Sequence, residues 1–330
     1  MQKAVRCERF AIKFNCSKSI LNILKRYLTN YGIKKMVIIV KLIGGLGNQM
    51  FQYAIGKSIA LHHNAELKLD LKFFNTNHRD KSITKRNFQL CVFNINGPFA
   101  TDKEVFKLTR RTPVYWLDKI LNRIMGCRPT YFIEKHYGFD NTISAKHPPV
   151  VLEGFWQSEK YFVQFKQEIL RTFKFSSLLN STSVAFLEKI KSVNAVSIHV
   201  RRSDYVTVAK NTHTYGACSI EYYQEAVALI KRKVSNPVFF VFTDDYEWVR
   251  HNLIAQGNFI LVEGNIGDNS WMDMCLMSNC KHNIIANSSF SWWGAWLNKN
   301  VDKMVIAPQN WYKNPDFDTK DIVPQGWIRL

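Results

Sequence analysis

The chain has 330 residues, 46% of them hydrophobic and 22% charged, close to the soluble globular average; this excludes general disorder and sets two domains of roughly 150 residues as the expectation. No apolar run approaches the roughly 18 residues of a membrane span, and the longest, MVIIV and VFFVF, are strand-sized. The net charge of +19 raises nucleic-acid and membrane readings, but its distribution decides more than its size.

Residues 1–35 carry nine lysines and arginines against Glu8 alone. Ile20, Leu21, Leu24 and Leu28 repeat there at helical spacing, which suits a basic amphipathic helix on an anionic membrane surface. The alternative is an extension ahead of a start at Met36. A signal peptide is disfavoured, because Lys13, Lys18 and Lys25 interrupt the apolar stretch and no cleavage site is evident.

Residues 36–43 read as a buried strand and lead into a glycine-rich turn, IGGLGNQMFQY (43–53). Asn48 stands in N-cap position, and Phe51, Ala54, Ile55, Ile59 and His62 share one side of the helix that follows. A second strand at 66–71 completes a β-α-β unit, hence a parallel sheet. Residues 72–148 mix basic and aromatic residues without a period. A strand at 150–153 precedes GFWQSEKYF and a helix to about residue 173. Residues 176–194 are the expected boundary between an N-terminal domain (36–180) and a C-terminal one (181–330). Beyond it the alternation restarts, with strands at 195–200, 238–242, 259–262, 283–286 and 303–307 and helices at 220–234, 245–253, 271–279 and 290–297. That is a second doubly wound sheet, and two domains make a cleft available.

The seven cysteines (Cys7, Cys16, Cys91, Cys127, Cys218, Cys275 and Cys280) are scattered, with no CxxC pair and no histidine at zinc-ligand spacing. They read as reduced thiols of a cytosolic protein, Cys275 and Cys280 as core rather than metal ligands.

Ligands of doubly wound sheets bind beyond the carboxyl ends of the strands. The segments there are HVRRSDY (199–205), TDDYEW (243–248), EGN (263–265) and ANSSFSWWGAW (286–296). Arg201 and Arg202 offer planar, permanently charged donors suited to phosphate oxygens. Ser288, Ser289 and the free N–H groups of a helix beginning near Phe290 make a second anion site. Two anion sites at neighbouring strand ends suit a diphosphate. Asp244 and Asp245 would repel one, so they are expected to point elsewhere, toward a base or sugar. His199 reads equally as a core histidine or a ligand contact. Trp292, Trp293 and Trp296 sit at helical spacing and read as core.

KLIGGLGNQMFQYA, GFWQSEKYF, HVRRSDYV, FTDD and DMCLMSNCKHNIIANSSFSWWGAWLN together resemble the bacterial alpha-1,2-fucosyltransferases of glycosyltransferase family 11, from residue 36 to near the C-terminus. The resemblance implies a GT-B-like fold: α/β, two Rossmann-like domains facing a cleft. It implies an N-terminal domain on the acceptor side and a C-terminal domain binding GDP-fucose, with no cofactor and no metal. It further implies inversion at the fucose anomeric carbon and a galactose 2-hydroxyl, in an oligosaccharide, as acceptor. By residue, Arg201 falls on the arginine that related enzymes place on the donor diphosphate, assisted by Arg202, with His199 and Asp204 on the rest of that motif. Asp244 or Asp245 would face the guanine, and Asn287, Ser288, Ser289 and Phe290 would line the donor. Gly45, Gly47, Asn48 and Gln49 would form the far wall of the cleft, the glycines letting backbone approach the fucosyl group or the diphosphate.

Asp204 is the expected base, or else an ion-pair partner that orients Arg201 or Arg202; Glu153 and Glu159 are alternatives. Ser203 stands where glycine is commoner, and residues 1–35 have no expected counterpart in the family. The chain reads as cytoplasmic, with peripheral contact to the inner face of the cytoplasmic membrane left open by its basic N-terminal segment.

Two rivals rest on pattern alone. An NAD(P)-dependent oxidoreductase fits Gly45-x-Gly47 between strand and helix and Asp70 at the end of the second strand, but Met50 occupies the third glycine position. A nucleic-acid-binding protein fits the charge and the aromatic content, but needs basic and aromatic residues interleaved on an exposed sheet, whereas the motifs mix Arg with Asp at strand ends.

Overall fold

The computed structural model describes residues 36–76, 86–110, 113, 118–120, 128–254, 258–314 and 316–330, with backbone alone at 204 and 209–211. The basic helix expected within residues 1–35 lies outside the described residues. Val37–Leu330 form one compact unit.

β1 (Val37–Lys41) is a β-branched run covered on both faces, as a central parallel strand requires. α1 (Leu46–His63) and β2 (Glu66–Asp70) complete the expected β-α-β unit, α1 ending at Asn64 in the left-handed region. After α2 (Asp102–Thr109) come β3 (Tyr131–Ile133) and β4 (Val150–Glu153), giving a parallel sheet in the order β2-β1-β4-β3. α3 (Lys166–Thr172) and α4 (Ser181–Ser192) lead to β5 (Asn194–Val200), α5 (Ser203–Thr207), α6 (Ala209–Thr214), α7 (Ile220–Lys233) and β6 (Pro237–Thr243). Then follow α8 (Tyr246–Asn252), β7 (Phe259–Leu261), α9 (Trp271–Asn279), β8 (His282–Ile284), α10 (Ser289–Leu297), β9 (Val305–Ala307) and β10 (Ile328–Arg329). The second sheet is parallel, in the order β10-β9-β8-β5-β6-β7. The class is α/β with two parallel, Rossmann-like sheets, as expected.

Three expectations shift. Asn48 is not the N-cap of α1: Gly45 is, its carbonyl accepting from both the Asn48 and Gln49 N–H groups at 3.0 Å, so Asn48 lies inside the first turn. The helix expected before residue 173 is broken into short turns at Glu159–Tyr161 and Val163–Phe165 before α3. The expected boundary segment contains α4, capped by Asn180, whose side chain accepts from the Ser183 N–H at 2.7 Å.

The two sheets share one hydrophobic core. Phe51 of α1 lies 4.5 Å and 5.0 Å, ring centre to ring centre, from Trp292 and Trp293 of α10, and Phe162 stacks on Trp293 at 5.4 Å. The three α10 tryptophans each satisfy their N–H: Trp292 donates to the Ile322 carbonyl, Trp293 to the Gly47 carbonyl and Trp296 to Glu159. The tryptophans are core, as their spacing predicts, and the core they form joins the two sheets. Cys275 is buried in this core and Cys280 in a separate cluster under the second sheet. No helix among the described residues is long and apolar enough to cross a membrane.

Candidate active site

The carboxyl ends of strands from both sheets open onto a cavity of about 870 Å³. The turn after β1 and the loop after β4 supply one wall. The ends of β5 and β6, the β7–α9 loop and the start of α10 supply the other.

At the centre two helix N-termini meet. Gly47, in the first turn of α1, packs so closely on α10 that a Cβ would stand 2.5 Å from the Ser289 carbonyl carbon and 2.7 Å from the Phe290 nitrogen. Gly45 caps α1 without a side-chain bond, and Ser288 caps α10, its Oγ accepting from the Phe290 N–H at 3.3 Å. The positive ends of both helix dipoles therefore face one place. Gly47 lines the cavity as expected, and its missing side chain also admits the backbone of α10.

Arg201 lines the cavity and pairs with Asp244, Nη1 to Oδ2 at 2.6 Å. Asp244 Oδ1 also accepts from the Arg202 N–H at 2.8 Å and the Ser203 N–H at 3.3 Å, tying the end of β5 to the end of β6. Arg202 turns away, its Nε donating to Asp245 at 3.2 Å while the guanidinium stacks on Trp248 at 4.3 Å. Asp245 caps α8, accepting from the Trp248 N–H at 3.1 Å. Two expectations are corrected: the aspartates pair with the arginines and are not left free for a base or sugar, and neither Arg202 nor Asp245 lines the cavity. In a half-buried site adjacent opposite charges neutralise each other, which residue type alone cannot reveal.

His199 is 6% exposed, lines the cavity and has a buried Nδ1 without a hydrogen-bond partner. Burial drives its pKa down to about 4; Asp244 opposes this shift and Arg201 adds to it, so the ring is neutral at neutral pH. It is at once a core residue and a wall of the cavity. Asp204 is the second residue of α5, and its side chain lies outside the described residues.

Asn287 is a bracket: its Nδ2 group donates to the carbonyls of Tyr215, Gly216 and Trp311 at 2.9 to 3.2 Å. Asn287, Ser288, Ser289 and Phe290 all line the cavity, as expected. Gln49 is fully buried and does not; its amide donates to the Gly44 and Asn87 carbonyls and accepts from the Gln89 N–H. Gly45 and Asn48 do line it, Asn48 accepting from Gln157 Nε2 at 2.9 Å. The two alternative bases are tied up elsewhere. Glu153 pairs with Lys41 at 2.5 Å and takes the Tyr131 hydroxyl, and Glu159 takes the Trp296 N–H at 3.0 Å.

Sequence reasoning missed Asp273, Gln157, Tyr312 and Arg86, all on the cavity wall. Asp273 opens the DMCLMSNC block and is 8% exposed, its Oδ1 accepting from Asn265 Nδ2 at 2.8 Å. Burial raises its pKa to about 7, against the pull of the Asn265 bond. A carboxylate on an otherwise apolar helix is the signal that could have found it. Among the described residues, no group of three His, Cys, Asp or Glu side chains is placed to hold a metal ion.

The family model described as Glycosyl transferase family 11 matches residues 4–330, so the expectation that residues 1–35 have no counterpart is overturned. An Alpha-1,2-colitosyltransferase of Escherichia coli is 34% identical over 89% of this chain and 99% of its own. The O-antigen biosynthesis glycosyltransferase WbnK of Escherichia coli is 33% identical over 88% of this chain and 99% of its own. A Galactoside alpha-(1,2)-fucosyltransferase 2 of Rattus norvegicus is 26% identical over 78% of this chain and 66% of its own.

Proposed function

Because the chain belongs to glycosyl transferase family 11, we propose that it transfers L-fucose from GDP-fucose to the 2-hydroxyl of a galactose residue in an oligosaccharide. The family displaces the oxidoreductase and nucleic-acid readings. The observation that carries the donor reading is the meeting of the α1 and α10 N-termini at the cavity that Arg201 also lines. The alpha-1,2 linkage is what the names of the Escherichia coli colitosyltransferase and the Rattus norvegicus enzyme share, and it is the linkage we assign here.

In this reading the acceptor oxygen attacks the fucose anomeric carbon from the face opposite the diphosphate. The bond from that carbon to the β-phosphate oxygen breaks, its electron pair leaves with GDP, and the acceptor hydroxyl loses its proton. Charge growing on the diphosphate is met by Arg201 and by the N–H groups at the two helix starts, without a metal. Arg201 must leave Asp244 or share it, so the aspartate holds the guanidinium ready between turnovers. With Asp244 and Asp245 paired to arginines, the carboxylate we assign to the guanine N1–H and amino donors is Asp273. We keep Asp204 as the acceptor's base. Residues 36–180 are assigned to the acceptor side and 181–330 to the donor.

The colitosyltransferase relative favours a second donor, one whose sugar lacks the 3-hydroxyl of fucose. Both readings are tested by offering GDP-fucose and its 3-deoxy counterpart with lactose or N-acetyllactosamine, with and without EDTA, and following product by mass spectrometry. Product from GDP-fucose that survives EDTA is expected. Preference for the 3-deoxy donor selects the second reading, and no product from either donor, or loss of product on chelation, defeats the proposal.

A further inference from the structure

The edge strand of the first sheet delivers a carboxylate behind the cavity wall. Glu134 follows β3 directly, and its N–H donates to the Glu153 carbonyl at 2.8 Å, prolonging the ladder with β4. Its side chain turns under the loop that leaves β4. There the Phe155 N–H donates to Oε2 at 2.6 Å and the Trp156 N–H to Oε1 at 3.0 Å, one backbone donor to each oxygen.

The loop so held has a shape it would not choose alone. Trp156 sits at φ 56°, in the left-handed region, with its indole buried edge-on against Tyr161. A Cβ on Gly154 would run into the Cβ of Glu134. The Gly154 carbonyl accepts from Gln52 Nε2 of α1 at 3.0 Å. Burial pushes the Glu134 carboxyl pKa up, while the two N–H bonds and nearby His136 hold it down.

The loop carries Phe155 and Gln157 onto the cavity wall. Gln157 uses both ends of its amide, Nε2 donating to Asn48 Oδ1 at 2.9 Å and Oε1 accepting from the Tyr312 hydroxyl at 3.3 Å. With its carbonyl engaged, Asn48 keeps its NH2 group as a donor. A continuous chain of contacts therefore runs from Glu134 through the loop to the polar groups of the wall across from Arg201.

We propose that Glu134 is a positioning residue for the acceptor sugar. It fixes Phe155 as an apolar face for the sugar's C–H groups, and it sets Gln157 and Asn48 at the height of the sugar's hydroxyls, touching neither substrate itself. The inference rests on the glycosyl-transfer reading of the cavity.

The test compares Glu134→Ala, Glu134→Gln, Gln157→Ala and the double variant Glu134→Ala/Gln157→Ala. Acceptor KM and kcat are measured at saturating GDP-fucose, and GDP affinity by calorimetry. Glu134→Ala is expected to raise acceptor KM by about tenfold or more while GDP affinity stays within about twofold. Glu134→Gln, which keeps one accepting oxygen, falls between it and the parent. The double variant is expected to be no worse than the worse single one, because both changes dismantle the same wall. Unchanged acceptor KM, a fully additive double variant, or a loss of GDP affinity as large as the rise in acceptor KM would overturn the inference. Failure of the unaltered protein to bind GDP or GDP-fucose strikes the donor reading instead, and is seen before any variant is made.

Discussion

Gly47 and Ser289 touch backbone to backbone across the two sheets, with room for no Cβ between them. The Trp293 N–H donates to the Gly47 carbonyl at 3.0 Å and locks the contact from beneath. Gly47→Ala must part α1 from α10, because backbone on the far side cannot rotate away as a side chain would. Overpacking of this kind costs about 1 to 3 kcal/mol. We expect a lower melting temperature and GDP affinity reduced by more than the stability loss explains; a variant with the parent's GDP affinity would show that the two helix starts do not act together.

Arg201 and Arg202 are neighbours in sequence with different surroundings, the first on the cavity with Asp244 and the second on Trp248 with Asp245. Arg201→Ala is expected to reduce kcat by at least ~100-fold, the scale for removing a donor aimed at developing charge. Arg202→Ala removes an ion pair and a stacking contact away from the cavity, so it is expected to lower stability while leaving kcat within about threefold. Equal losses of kcat in both variants would contradict the assignment.

Asp273 gives a pH dependence of stated sign. Its pKa in the folded chain is about 7, above the ordinary 3.8, so the fold favours the protonated form. The stability this contributes is full below about pH 4 and is lost as pH rises through about 7. Asp273→Asn is therefore expected to be more stable than the parent at about pH 8, with the two converging in acid. Guanine needs the ionised form, so GDP affinity of the parent should fall as pH drops below about 7, while the variant binds weakly with a flat profile. Calorimetry across this range checks both; a parent whose affinity is insensitive to pH there would remove Asp273 from the nucleobase.

Asn287 holds three backbone carbonyls from two segments with one amide group. Asn287→Ala leaves these acceptors short of a donor, at a cost of about 1 to 3 kcal/mol. A melting temperature equal to the parent's, with weakened GDP binding, would make Asn287 a donor contact and not a brace.

The periodic elements were legible because burial on one or both faces imposes a visible pattern. β1, β4, β5, α7 and α9 stand within a residue or two of their expected bounds. β3 and β10, of three and two residues, carry no period long enough to see. α4 was hidden in a stretch of serines that the Asn180 cap turns into a helix start.

By itself the sequence determined the α/β class, the strand ends where the site lies, and most of the residues gathered there, because hydrophobic period and turn chemistry are local properties. It also carried the family blocks. Only the tertiary structure decided which partner each polar residue takes. Arg201 and Arg202 are chemically alike, yet the direction in which each leaves the end of β5 gives one the cavity and the other Trp248. Asp273 was one acid on an apolar helix until burial raised its pKa. Gly47 lines the cavity as its turn suggests, but only the fold shows that its bare Cα also admits the backbone of Ser289. Such pairings depend on distances between residues far apart in the chain, and no local pattern records them.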